Sequence, residues 1–394
     1  MDDEEPPLLT AVSSSARQLY QLLRCIAFSN KAHVQISDIG LKLAVDEASV
    51  MEASAFLDKS LFTTYTFNAP HPPPNSQHSD SDQDVDADAD AASNTTPAFQ
   101  ISLPALLETL QIFGLTDPSP STSTSKSPWA RDAPYPTSTA FTANTIMGGM
   151  NNLCRISYDG PGSPLAVTLT EMSIRTQCDL TTYEPEYADE IPFDRQALAL
   201  KVIMRGSWLH DAVQELSSTS PERLTMYAKT VRGKPFFALS SSGTLGSARV
   251  EFNNQAQQPS AYRTPVSTNL NATADAANQP PTNLLETFQL SHPATVFRSS
   301  YKFSLIQKAA RAMSVATKVS VRADTQGVLS LQFMIELEGP SSAAAANESA
   351  KISFVDFRFV PLVEDEDREE GDVGDDADAT IMRNGEGSDE DDVL

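Results

Sequence analysis

The sequence predicts an α+β fold built from four strand–helix–hairpin units. Three observations carry this. An apolar, strand-like run leads into an amphipathic helix four times along the chain. Each helical stripe, spaced i, i+3, i+4, i+7, gives way to alternation of period two, the mark of a strand with one buried face. Each alternating stretch is then broken by a glycine, where a tight hairpin needs positive φ.

The first unit opens with Leu8, Leu9 and Val12 and continues in a helix with Leu19, Leu22, Leu23 and Ile26 on one face. Its hairpin alternates through His33, Val34 and Ile36, turns at Ile39-Gly40, and returns through Leu41, Leu43 and Val45. The second places Phe99 and Ile101 before a helix with Leu103, Leu106, Leu107, Leu110 and Phe113. Leu153, Ile156 and Tyr158 then turn at Asp159-Gly160 into Leu165, Val167 and Leu169. The third runs from Leu198, Leu200, Val202 and Met204 into a helix with Leu209, Ala212, Val213 and Leu216, with Gly233 at its hairpin. The fourth has Tyr301 and Phe303, then a helix with Ile306, Ala309, Ala310 and Met313, and a turn at Gln326-Gly327. The uneven spacing predicts divergent duplications and not a solenoid.

Between these units lie segments too poor in large apolar groups to offset the entropy of ordering: 69–97, 116–140, 253–295, 340–349 and the tail 364–394. Residues 180–192 (LTTYEPEYADEIP) differ, being acidic with two tyrosines, and predict an ordered connector between two domains. The net charge of −24 is concentrated: −4 in residues 2–5, −6 in 80–90 and −13 in 364–394, leaving −1 for everything else. The folded body is therefore near neutral, and the acidity belongs to solvated extensions.

Three cysteines, Cys25, Cys154 and Cys178, without paired spacing suit a reducing compartment. No signal pattern is expected at the start, and no apolar run approaches the roughly 20 residues of a membrane helix. A metal-dependent nuclease needs several carboxylates held rigidly around two ions. The dense acidic run, 80–90, alternates with small residues in low-complexity sequence, and the five histidines are scattered. There is no Cys-x-x-Cys, Gly-x-Ser-x-Gly or phosphate-loop motif. The expectation is no catalytic residue, no metal and no cofactor.

Three stretches carry a resemblance: 40–56 (GLKLAVDEASVMEASAF), 318–335 (KVSVRADTQGVLSLQFMI) and 352–359 (ISFVDFRF). They resemble the Rad-one subunit family of the nine-one-one checkpoint clamp, relatives of the PCNA sliding clamps. The resemblance implies a DNA sliding-clamp fold of two similar domains, each of two repeats, with helices on the inner face and antiparallel sheets outside. It implies an acidic extension at 1–6, domain one at 7–179 with inserts 69–97 and 116–140, and the connector at 180–192. Domain two follows at 193–363 with inserts 253–295 and 340–349, then the acidic tail 364–394. The implied function is that of a non-enzymatic subunit in a nuclear heterotrimeric ring around DNA. Its implied partners are two other clamp subunits, a clamp loader, double-stranded DNA without sequence preference, and repair enzymes. A homotrimeric processivity clamp and a metal-dependent 3'–5' DNA exonuclease are the alternatives.

A ring that holds DNA by topology needs bases on its inner helices, because its contacts go to phosphates. Arg17 and Arg24 lie opposite the apolar stripe of the first helix, and Lys308 and Arg311 opposite that of the fourth. The other two helices offer Glu108, and Asp211 with Gln214. By resemblance, ring closure uses two strand edges. One holds Ser173, Arg175 and Cys178; the other holds Leu245, Arg249 and Val250. The connector tyrosines Tyr183 and Tyr187 fall in the usual partner-docking region of such clamps.

Overall fold

The computed structural model describes residues 6–69, 96–112, 153–171, 173–185, 190–253, 284–337 and 351–363. The first unit forms β1 (Leu9–Ser13), α1 (Ala16–Arg24), β2 (Lys31–Ile36), β3 (Gly40–Glu47) and β4 (Met51–Asp58), followed by β5 (Thr64–Phe67). The second forms β6 (Ala98–Ser102), α2 (Leu103–Leu110), β7 (Leu153–Tyr158), β8 (Leu165–Glu171) and β9 (Ile174–Leu180). The third forms β10 (Leu198–Arg205), α3 (Gly206–Ser217), β11 (Pro221–Val231), β12 (Lys234–Gly243) and β13 (Gly246–Asn253). After β14 (Thr287–Leu290), the fourth forms β15 (Phe297–Lys302), α4 (Phe303–Lys308), α5 (Ala310–Val315), β16 (Lys318–Asp324), β17 (Leu329–Leu337) and β18 (Lys351–Phe359).

Local chemistry explains the starts of the helices. Ser15 caps α1 by accepting from the Gln18 amide at 3.4 Å, and Ser102 caps α2 through the Ala105 amide at the same distance. The predicted fourth helix is two short helices. At Ala309 the bonding tightens to the Ile306 carbonyl, three residues back, at 3.0 Å, which breaks the continuous turn. Gly206, at the start of α3, has no room for a side chain: a Cβ there would stand 2.4 Å from the Ala316 carbonyl oxygen. That close approach lets α3 pack on α5.

Three antiparallel sheets result. The first has the order β5-β1-β7-β8-β9, the central one β14-β10-β16-β17-β18-β4-β3-β2-β6, and the last β13-β12-β11-β15. The four units are not self-contained. Within each half the opening strands are exchanged: β1 pairs with β7 and β6 with β2, β10 with β16 and β15 with β11. Each helix links its opening strand to a hairpin in a different sheet. The described helices press on one side of the sheets, and a continuous apolar cluster lies between them. It includes Leu19 and Leu23 of α1, Leu106 of α2, Val213 of α3 and Met313 of α5.

The β18–β4 ladder, from Val355 opposite Ala55 to Phe359 opposite Met51, joins the halves into one central sheet. The described residues up to Pro361 accordingly form one compact unit. One further correction concerns the insert assigned to 253–295. Its end is ordered: β14 pairs with β10, and Leu285 just before it is buried. Among the described residues no helix is long and apolar enough to cross a membrane.

Candidate functional site

The sheet orders reveal an internal symmetry. Reading from β14 to β18, the central sheet repeats the roles of β5 to β9. A late strand is followed by an opening strand, then by the three hairpin strands of the partner unit. From β4 to β6 it repeats the roles of β13 to β15. The strands β18 and β4 are joined within the chain, whereas their counterparts β9 and β13 are edges among the described residues. Both edges carry exposed apolar groups: Ile174 at the start of β9 is 46 % exposed, and Leu245 at the β12–β13 turn is 73 % exposed. Arg175 and Cys178 lie on β9, and Ser173 immediately precedes it; Arg249 and Val250 lie on β13. An unpaired edge with apolar side chains is a template for another chain.

The four helical bases do not share one environment. Arg24 and Arg311, from opposite halves, both act electrostatically on the buried thiol of Cys25. Lys308 comes to the same junction, ion-paired to Glu47 at the end of β3, with its ammonium 5.5 Å from the Phe28 ring. Its charge is therefore largely neutralised. Arg17 sits two turns before Arg24 on α1, half-exposed. Three of the four bases thus gather around Cys25, Phe28 and Glu47, just beyond the end of α1 and at the end of β3.

The connector is strapped across the central sheet. Tyr183 exchanges two backbone hydrogen bonds of 2.9 Å with Gln100, extending the sheet beyond β6, while its side chain stays exposed. Tyr187 lies outside the described residues. Glu190 ion-pairs with Lys42 at 2.7 Å. The Ile191 amide donates to Glu52 at 2.9 Å, and Arg358 donates to the Ile191 carbonyl at 2.8 Å. The two acids respond oppositely: burial raises the Glu52 carboxyl, and the Lys42 hydrogen bond lowers Glu190. Phe193 then lies under the Arg322 guanidinium, 5.7 Å away.

Arg322 also lines a cavity of about 280 Å³ on the face of the central sheet opposite the helices. Its floor is apolar (Ile203, Met334, Phe354) and its other bases are Lys201 and Lys318. Lys318 is held by Glu286 at 2.6 Å. Sequence reasoning missed this groove, although one sign was present. In β18 the solvent-side positions Ile352 and Phe354 are apolar where alternation calls for polar residues, and they are 49 % and 44 % exposed.

No three His, Cys, Asp or Glu side chains among the described residues come together as a metal-binding group. The acidic run 80–90 lies outside those residues.

The family described as "Repair protein Rad1/Rec1/Rad17" matches residues 8–335. This chain belongs to the Rad1 family. It is 31 % identical over 349 residues to the DNA damage checkpoint control protein rad1 of Schizosaccharomyces pombe, covering 88 % of this chain and 84 % of that protein. It is 25 % identical to the cell cycle checkpoint protein RAD1 of Homo sapiens, covering 91 % of this chain and 94 % of that one. The chain also has a sliding-clamp fold. The structure titled as PCNA from Thermococcus kodakaraensis superposes with a TM-score of 0.51 at 14 % identity, over 90 % of this chain and 100 % of that one. A more distant relative bears another name: the DNA repair exonuclease REC1 of Mycosarcoma maydis, 23 % identical over 53 % of this chain and 47 % of that protein.

Proposed function

We propose that this Rad1-family chain is a non-enzymatic subunit of a heterotrimeric checkpoint ring. The ring encircles DNA at damage sites and tethers repair enzymes there. One observation carries the reading: the unlike edges β9 and β13 are the counterparts of β18 and β4, which are already paired inside the chain. A β9 edge laid against a β13 edge would rebuild a sheet with the strand order of the central one. Two unlike edges give head-to-tail contacts, which close into rings when the rotation allows. In this reading residues 7–179 and 193–363 are the two domains, 180–192 the connector, and the ring works in the nucleus beside a clamp loader. Arg17, Arg24 and Arg311 face phosphate, and enzymes dock at the connector and the groove floored by Met334 and Phe354.

The mass of the chain alone and mixed with two candidate partner subunits tests this. A one-to-one-to-one complex is expected. A stable homotrimer of the chain alone would overturn it. A proline scan through Ala248, Arg249 and Val250 tests the edge. Consecutive amides alternate sides of a strand, so one or more positions should abolish assembly without lowering the melting temperature. Retained assembly in all three would reject β13 as the seam.

The name of the REC1 relative favours one rival, a metal-dependent exonuclease. Digestion of labelled single- and double-stranded DNA with magnesium or manganese decides. Activity that co-purifies with the chain and disappears on replacing one folded carboxylate would establish the rival.

A further inference from the structure

The face of the last sheet turned away from the helices concentrates positive charge in a chain whose net charge is −24. Cross-strand register sets Arg223 opposite Lys302 and Tyr227 opposite Arg298 on β11 and β15, and Lys229 opposite Phe236 on β12. Arg249 lies on the same face, opposite Ser240, and Lys234 sits at the hairpin tip. The four strands carry only two acids, Glu222 and Glu251.

At the centre of this face the rings of Tyr227 and Phe236 meet edge to face, 6.0 Å apart at 78°. Lys229 lies 5.5 Å and Arg249 5.7 Å from the Tyr227 ring. The same two cations lie 5.8 and 5.5 Å from Phe236. Arg249 also pairs with Glu251 at 2.9 Å, but both side chains are well exposed and water screens that contact. The rings hold two flexible cations in fixed places, so less rotamer freedom remains to be lost on binding. They also place a cation over each ring, which a nucleic-acid base would have to displace in order to stack there.

We propose that this face docks an extended acidic segment of a partner protein. Charge complementarity selects an anionic occupant, and the decked rings favour carboxylates over bases. Tyrosine and arginine are the residues around which interfaces concentrate their energy. From β15 to β13 the face spans about 14 Å at the usual strand spacing, which four or five extended residues can cross. The face is separate from the β13 backbone edge, so it stays open when that edge is paired.

Fluorescence anisotropy on the full chain tests the proposal. The probes are a short labelled peptide repeating Asp-Glu-Ser, its lysine counterpart, and oligothymidylate. The acidic peptide should bind, more weakly as salt is raised, and the lysine peptide should not. Lys229→Gln with Arg298→Gln should weaken binding about tenfold. Lys229→Arg with Arg298→Lys should retain it, and Lys31→Gln with Lys59→Gln in the first half should leave it unchanged. Arg298→Gln alone repeats the test with the ring stack intact. Equal binding by the neutralised variants, no binding of the acidic peptide, or tighter binding of oligothymidylate at these residues would overturn the proposal. Assembly with the other subunits should be unaffected by these substitutions, so loss of peptide binding and failure of the ring reading are separate results.

Discussion

Arg358 and Glu52 stand directly opposite each other across the β18–β4 ladder, and their side chains meet at 2.8 Å. The same pair grips the connector from both sides, Arg358 through the Ile191 carbonyl and Glu52 through the Ile191 amide. One contact thus holds the seam between the halves and the strap that crosses it.

Arg358→Ala should therefore do more than remove a surface charge. Both side chains are roughly four-fifths shielded, and the truncation leaves Glu52 without its guanidinium. A loss of about 2–3 kcal/mol is expected, the range for breaking a shielded ion pair with charge-assisted hydrogen bonds. Denaturant unfolding measures it. Hydrogen exchange at the Ile191 amide should rise in parallel; an unchanged amide would mean that the strap is held elsewhere.

The three thiols should separate by reactivity. Burial pushes both Cys25 and Cys154 up to about 12, so neither forms thiolate at neutral pH. Cys178 is partly exposed on the β9 edge. Iodoacetamide should modify Cys178 first in the isolated chain and the other two only on unfolding, as mass spectrometry would read. Assembly should slow the reaction at Cys178 if β9 is a seam.

Charge reversal should split the helical bases. Arg17→Glu should reduce retention of the ring on DNA. It should also make log affinity fall less steeply with log salt, by about 0.9 for each phosphate no longer neutralised, with the melting temperature unchanged. Lys308→Glu sets a second carboxylate beside Glu47 and should mainly lower the melting temperature. A thermal scan beside a salt titration distinguishes them.

His33 supplies a pH dependence. Burial first, and then the charge of Lys42, pull its imidazole below the ordinary 6.5. The unfolded chain therefore binds the proton more readily, so this contribution to stability is complete above about pH 6.5 and fades as pH falls below it. The denaturation midpoint should drop from about pH 7.5 to about pH 5.5, and less steeply in His33→Gln. Parallel curves would remove His33 as the cause.

What the sequence disclosed follows the range of each interaction. Strands and helices were readable because period is local, as in the stripe Leu19, Leu22, Leu23 and Ile26. The exchange of opening strands was not, because nothing near Leu9 names Tyr158 as its partner. The strand β14 was hidden by the Asn- and Gln-rich composition before it, although Thr287, Phe288 and Leu290 are ordinary strand residues. The placement of Arg17 on a solvent-facing side of α1 was legible. The pairing of Lys308 with Glu47 was not, since 261 residues separate them. The groove at Met334 and Phe354 needed both strand parity and sheet order, and only parity was available beforehand.

The exchanged strands also set a timetable for synthesis. A newly made β1 has no ladder partner on the β7 side until residues 153–158 exist, and β4 waits for β18 at residues 351–359. At the usual 5–20 residues per second, the second delay is about 15–60 s. For that interval the first half presents a bare β4 edge to the cell, so guarding by chaperones or slower translation should matter more for yield than final stability does.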